Sequence, residues 1–124
     1  MQTQQTWDLE DVKEELKALI RIPSVTGGEE AISQHIFSRL KQIGADYVEK
    51  QLVEEGRYNV IARIHGAFPG RRILLTGHMD TVAPGDGWTT EPFEPVERDG
   101  KIFGRGANDM KAGIAIIIPV SYTH

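Results

Sequence analysis

The chain has 124 residues, 40% hydrophobic and 26% charged, with 14 basic against 18 acidic side chains for a net charge of −4 and no cysteine. That length suits one domain, and the composition is that of a packed globular chain. It excludes a disulfide framework, a thiolate metal site and a cysteine nucleophile. No basic stripe offers a surface for nucleic acid, and no basic amphipathic helix offers one for a membrane.

The opening "MQTQQTWDLEDVKEE" has neither the basic nor the apolar region of a secretory signal. The longest apolar run, Ala112 to Ile118, is far short of a bilayer span. A cytoplasmic location is therefore expected, with no nucleic-acid or membrane partner. Leu9, Val12, Leu16, Leu19 and Ile20 recur at helical spacing behind Asp8, a ready N-cap, and Pro23 ends that helix. Thr26 to Glu29 has the form of a capping box for a second helix, whose buried face is marked by Ile32, Ile36, Leu40 and Ile43. Gly44 stands where a C-terminal glycine cap belongs.

Three strands are predicted next, over 45–53, 58–66 and 71–79. The last, "RRILLTGHM", is close to continuously apolar, the pattern of a central strand buried on both faces. Residues 83–95 read as loop. "VERDGKIFG" (96–104) reads as a hairpin, since Asp99-Gly100 suits a two-residue type I′ turn. A third helix is expected to open near Met110 or Lys111 and to be interrupted at Pro119. The order of elements gives an α/β fold, a mixed sheet flanked by helices.

Chemistry concentrates in two stretches. "LLTGHMDTV" (74–82) ends an apolar run in His78-Met79-Asp80. On a strand, positions i and i+2 share a face, so His78 and Asp80 project together, beyond the carboxyl end where ligands gather in open α/β sheets. Imidazole suits zinc and similar metals, and a neighbouring carboxylate can hold the other ring nitrogen and fix its tautomer. A lone strand histidine is more often a satisfied structural residue, and the pair by itself leaves both readings open. "GRGANDMKAG" (104–113) places Asp109 at an expected helix start. It reads as an N-cap, as a second metal ligand beside His78, or as a phosphate loop. The last is poorly matched, because Asp109 takes the place of the third glycine of G-x-G-x-x-G.

Together the two stretches, 31 positions apart from His78 to Asp109, resemble the N-terminal signatures of the M20 metallopeptidases, the group that includes the ArgE/DapE deacylases, aminoacylases and carboxypeptidase-like enzymes. "LIRIPSVTGGEE" (19–30), "GWTTEPFEP" and "DGKIFGRG" are similar to that family too. The resemblance implies the N-terminal part of a zinc-peptidase-like catalytic domain. It implies a hydrolase of amide bonds in N-acyl amino acids or small peptides, using two divalent metal ions, zinc first and cobalt or manganese as alternatives. In that scheme His78 binds one metal, Asp109 bridges both, and Asp80 joins the catalytic set by orienting His78. It also implies a cis peptide at Asp109–Met110 and a homodimer for the full-length protein.

The same pattern requires a Glu-Glu pair after Asp109, a further acidic ligand and a distant histidine. The chain ends 15 residues after Asp109, and Glu29-Glu30 lies upstream, at the start of the second helix. Residues 1–118 are thus expected to be an incomplete catalytic domain, inactive alone, with 119–124 a non-native or truncated tail. His124 then falls at the terminus by accident. The alternative is a non-catalytic α/β binding or assembly module that keeps the fold. Of the remaining polar residues, His35 reads as surface, and His65 and Arg105 as structural. Lys111 reads as a partner of Asp109 or Asp80, or as solvent-exposed. Trp88 and Phe93 read as bordering the site or covering the sheet edge.

Overall fold

The computed structural model describes residues 7–121; His124 and the last part of the expected tail lie outside them. Helix α1 (Leu9–Ile20) starts where Asp8 predicts. The Asp11 amide donates to the Asp8 carboxylate at 3.0 Å and the Asp8 amide donates back to Asp11 at 3.1 Å. Two of the amides that a helix start leaves without partners are satisfied in this way. Helix α2 (Glu30–Gln42) ends at Ile43, and Gly44 follows with φ 84° as a left-handed cap, its amide donating to the Lys41 carbonyl at 3.0 Å.

The start of α2 differs from expectation. Its N-cap is Glu29, with no side-chain cap bond, and the Thr26 hydroxyl is turned elsewhere. Two glycines at the first helical positions are poor helix formers, so the turn over Gly27 and Gly28 stays outside the helix. Glu29 is buried, accepts from the Gly27 amide at 3.0 Å and pairs with Arg57 at 2.9 Å.

Strands β1 (Tyr47–Glu54) and β2 (Arg57–Arg63) form an antiparallel hairpin in which Tyr47 faces Arg63 and Leu52 faces Tyr58. The short strands β3 (Val96–Arg98) and β4 (Lys101–Phe103) form the second hairpin. Asp99 and Gly100 between them have φ 53° and 70°, as a type I′ turn requires. His65 lies beyond the end of β2, its amide bonded to Asp46 at 2.7 Å. Helix α3 (Ala112–Val120) follows a kinked turn, Ala107–Lys111, and runs through Pro119 instead of stopping there. Pro119 falls in the last turn, where one missing amide interrupts little of the helix.

The fold is mixed α/β, helices with small antiparallel sheets. One element departs from its sequence reading. Residues 71–79 pair with no other described segment, and Ile73 and Leu74 are 84% and 86% exposed. Apolar patterning specifies a strand's residues but not its neighbours, and a ladder needs both. The core sits instead between the helices. Leu16, Leu19 and Ile20 of α1 join Ile32, Ile36 and Leu40 of α2 and Ile114, Ala115 and Ile118 of α3. Each such Leu or Ile contributes about 1.5–3 kcal/mol of burial free energy.

Between α1 and α2 lies a buried acid. Glu15 accepts from Arg39 Nε at 2.7 Å, and its other oxygen is 2.9 Å from Nε2 of His35. His35 is thus in contact with a buried carboxylate and is not a bare surface residue. Burial pushes the Glu15 carboxyl up, but the bonds from His35 and Arg39 outweigh it and hold the pKa below the ordinary 4.5. A depressed carboxyl stabilises the fold fully above its unfolded pKa and loses that contribution as pH falls through its folded value. Stability is therefore expected to drop on acidification below about pH 4.5. Glu15→Gln is expected to flatten that drop and to cost about 1 kcal/mol at pH 7. Urea melts of both chains from pH 3 to 7 test this; parallel pH profiles would remove Glu15 as a cause.

Candidate functional site

The segment 78–81 is fixed from one side by residues 24–26. Val25 and Thr81 form a parallel bridge: the Thr81 amide donates to the Ser24 carbonyl at 2.9 Å, and the Thr26 amide donates to the Thr81 carbonyl at 3.0 Å. The fully buried Ser24 hydroxyl donates to the Met79 carbonyl at 2.8 Å. His78 and Asp80 lie on one side of this backbone, as the i, i+2 spacing predicts.

The His78 ring has a distinct partner at each nitrogen. Nδ1 lies 3.0 Å from the Asp80 backbone carbonyl and 3.2 Å from Asp80 Oδ1. Both are acceptors, so Nδ1 carries a proton. Nε2 lies 2.9 Å from Asp109 Oδ1. In a neutral ring the Nε2 lone pair then faces an anionic oxygen, two acceptors converging on one point. A cation satisfies both, whether the second ring proton or a metal ion. Burial lowers the His78 pKa, but the Asp80 carbonyl and the Asp109 carboxylate outweigh it, and the net shift is upward from 6.5. The Asp80 carboxyl is held below 3.8, chiefly by the Thr26 hydroxyl that donates to it.

Asp109 reaches His78 from the kinked turn Ala107–Lys111. Its backbone is non-helical (φ −124°, ψ 93°), the Asp109–Met110 peptide is cis, and the carboxylate is 83% exposed. Asp109 is thus not an N-cap. The Met110 side chain packs on Gly77 and Gly113, where an added Cβ would come within 2.5 Å and 2.8 Å of its methyl carbon. The His78 amide approaches the Met110 sulfur at 3.4 Å. A side chain at either glycine would displace the methionine tip, and this packing sets the segments that carry His78 and Asp109 side by side.

Lys111 is neither solvent-exposed nor paired with an aspartate. It is completely buried, and Nζ donates to the carbonyls of Leu19 at 2.8 Å and Ile22 at 2.9 Å. Its charge sits at the C-terminal end of α1, where a cation is favourable, and not against the start of its own helix. Burial lowers its pKa to about 8, which leaves it protonated at neutral pH.

His78, Asp80 and Asp109 line a cleft of about 470 Å³, together with Trp88, Phe103 and Arg105. Arg105 stacks on Trp88 at 5.1 Å, and both side chains donate to the Pro84 carbonyl, at 3.0 and 2.7 Å. Arg105 therefore holds the loop wall, and Trp88 borders the site; Phe93 does not line the cleft. Among the described residues no group of three or more His, Cys, Asp or Glu side chains is arranged to hold a metal ion. His78 Nε2 and Asp109 Oδ1 nevertheless suit a divalent cation as a pair. They are an imidazole nitrogen with its tautomer fixed from behind and an exposed carboxylate with lone pairs to spare.

Residues 74–121, which carry both His78 and Asp109, match peptidase family M20/M25/M40. Over these residues the chain matches the M20 family. It is similar to proteins named succinyl-diaminopimelate desuccinylase. The one from a Nitratiruptor species is 37% identical over 103 residues, 82% of this chain and 27% of that protein. The one from Erythrobacter litoralis is 38% identical over 109 residues, 82% and 29%. The one from Wolinella succinogenes is 39% identical over 108 residues, 86% and 28%. The chain thus spans less than a third of the length of these M20 relatives. Among its described residues no helix is long and apolar enough to cross a membrane.

Sequence reasoning missed Thr26 and misplaced Lys111. The signal for Thr26 was present: Gly27-Gly28 argues against the capping box that would have used its hydroxyl. For Lys111 the signal was a single cation before an otherwise small and apolar run.

Proposed function

We propose that this chain carries part of the metal site of an M20 amide hydrolase that removes an acyl group from N-acyl amino acids or small peptides. The relatives' names favour N-succinyl amino acids within that class. The observation that supports the reading most is the His78 ring, held at Nδ1 by Asp80 and directed by Nε2 at Asp109 Oδ1, 2.9 Å away.

His78 would hold one divalent ion and Asp109 would bridge a pair. Zinc suits the nitrogen and carboxylate donors, with cobalt or manganese as alternatives. The bound pair would supply Lewis acidity for hydrolysis. The chain's own residues have separate tasks. Asp80 takes the Nδ1 proton's hydrogen bond and keeps the Nε2 lone pair free. Asp109 lends negative charge at the cleft mouth. The Trp88–Arg105 wall bounds the space in which an acyl group would lie. Two carboxylates, Asp80 and Asp109, line the cleft and would repel a phosphate, which counts against the phosphate-loop alternative.

A catalytic zinc site usually has three protein ligands and an open position, and His78 and Asp109 supply two. The 124-residue chain alone is therefore expected to bind zinc more weakly than micromolar and to hydrolyse no N-acyl amino acid. In a zinc titration followed by NMR, the His78 ring and Asp109 signals are expected to move at sub-millimolar to millimolar metal, and His78→Ala should abolish the response. Equal responses in both chains would sink the proposal. Micromolar or tighter affinity would show that ligands beyond these two are at work. The lack of a third ligand among the described residues is what favours a non-catalytic module instead. On that reading His78→Ala changes stability or partner binding, and zinc moves nothing at the site.

A further inference from the structure

Three hydrogen bonds between residues 24–26 and 79–81 hold backbone: those of the Thr81 amide, the Thr26 amide and the Ser24 hydroxyl. Another reaches Asp80 itself. The Thr26 hydroxyl donates to Asp80 Oδ2 at 2.6 Å, whereas its other acceptor within reach, the Thr81 carbonyl, is at 3.3 Å. A hydroxyl has one proton to give. The shorter contact is to an anion, and O–H···O⁻ bonds of this length belong to the strong, charge-assisted class. The proton therefore goes to the carboxylate.

The two oxygens of Asp80 are thereby divided: Oδ2 is occupied by Thr26, and Oδ1 faces His78 Nδ1 at 3.2 Å. A carboxylate held by one partner can still turn about its Cα–Cβ and Cβ–Cγ bonds; held at both oxygens, it keeps one orientation. Thr26 has little freedom of its own, since its amide is bonded to the Thr81 carbonyl at 3.0 Å and its neighbour Val25 forms the parallel bridge to Thr81. A fixed backbone thus holds a hydroxyl and the hydroxyl a carboxylate, whose Oδ1 lies 3.2 Å from the imidazole Nδ1, beside the Asp80 backbone carbonyl that Nδ1 approaches at 3.0 Å.

We infer that Thr26 is a positioning residue for His78, acting through Asp80 to keep Nε2 aimed at Asp109. What Nε2 does there rests on the proposed metal site; the fixing of Asp80 does not. The Val25–Thr81 bridge and Ser24 hydroxyl remain in Thr26→Val, which deletes the donor at nearly constant shape, and Thr26→Ser restores it.

The experiment uses the 124-residue chain without metal and then with zinc. Couplings that report the Asp80 side-chain rotamer are expected to show one rotamer in the wild type and in Thr26→Ser, and averaging in Thr26→Val. In the zinc titration the midpoint for His78 should rise about tenfold in Thr26→Val and stay near wild type in Thr26→Ser. An Asp80 rotamer unchanged in Thr26→Val overturns the inference, and so does averaging at Asp80 that leaves the zinc midpoint where it was. Averaging at Asp80 in a series where zinc leaves even the wild-type His78 unmoved supports the fixing of Asp80 and fails the metal reading, so the two are told apart. If the valine variant does not fold, the wild-type chain decides. A Thr26 hydroxyl proton protected from exchange and close in space to the Asp80 β-protons supports the inference; a freely exchanging one overturns it.

Discussion

Lys111→Met is expected to lower the stability of the chain by about 2–3 kcal/mol. The two side chains have similar length and volume, so the substitution removes the ammonium and little else. Nζ donates to the carbonyls of Leu19 and Ile22 from a completely buried position. Hydrogen bonds to a charged group contribute about 1.5–3 kcal/mol each, and relief from desolvating a cation returns part of that sum. The Leu19 carbonyl also accepts from the Ile22 amide at 3.2 Å, so the greater loss falls on the Ile22 carbonyl. The favourable charge at the end of α1 goes too. Lys111→Ala adds a cavity and should cost more, about 3–4 kcal/mol. Equilibrium urea denaturation at pH 7 measures both. A methionine variant as stable as wild type would mean that the ammonium costs as much to bury as its bonds return.

The same lysine shows where sequence reading stops. Asp109, two positions before it, and Asp80, in the other motif, were the partners the sequence offered. The partner it found is 92 positions away in sequence at Leu19, and no local pattern encodes a contact of that separation. His35 is a parallel case. Its place beside Ile36 on an amphipathic helix reads as surface, but the facing helix brings Glu15 within 2.9 Å. Thr26 failed differently: a local rule was available and misapplied, because Gly27-Gly28 already spoke against a capping box.

What was legible was governed by short-range chemistry. Asp8 as N-cap, Gly44 as C-terminal cap and the Asp99-Gly100 turn each depend on a few consecutive residues, and each occurs where expected. The placing of His78 and Asp80 on one side needed only the two-residue strand period. Their meeting with Asp109 stood as one of three readings of that residue and was singled out by resemblance to the M20 family, since spacing alone does not fold residue 109 onto residue 78. The apolar run 71–79 marks the opposite limit. It has the composition of a buried strand, yet Ile73, Leu74 and Leu75 lie exposed and Met79 packs against the core.

Gly106→Ala is expected to be as damaging as the loss of Lys111, at about 3 kcal/mol, and to disturb the site as well. Gly106 has φ 80°, a conformation that costs an L-residue roughly 1–2 kcal/mol. The added methyl would also lie 2.5 Å from Thr81 Cγ2 and 3.2 Å from Lys111 Cδ. Neither neighbour can yield cheaply. Thr81 is buried and tied through its backbone to Ser24 and Thr26, and Lys111 is anchored at its tip by Leu19 and Ile22. Accommodating the methyl therefore means moving the strip that carries His78 and Asp80, or the turn that carries Asp109, or both. Overpacking of this kind costs about 1–3 kcal/mol beyond the backbone term. Two measurements separate the parts: the urea midpoint gives the total, and the distance between the His78 and Asp109 side chains, followed by NMR, gives the displacement. A variant with wild-type stability and an unmoved His78–Asp109 pair would show that the 106 position is slack. That result would also contradict the tight packing of Gly106 against Thr81 and Lys111.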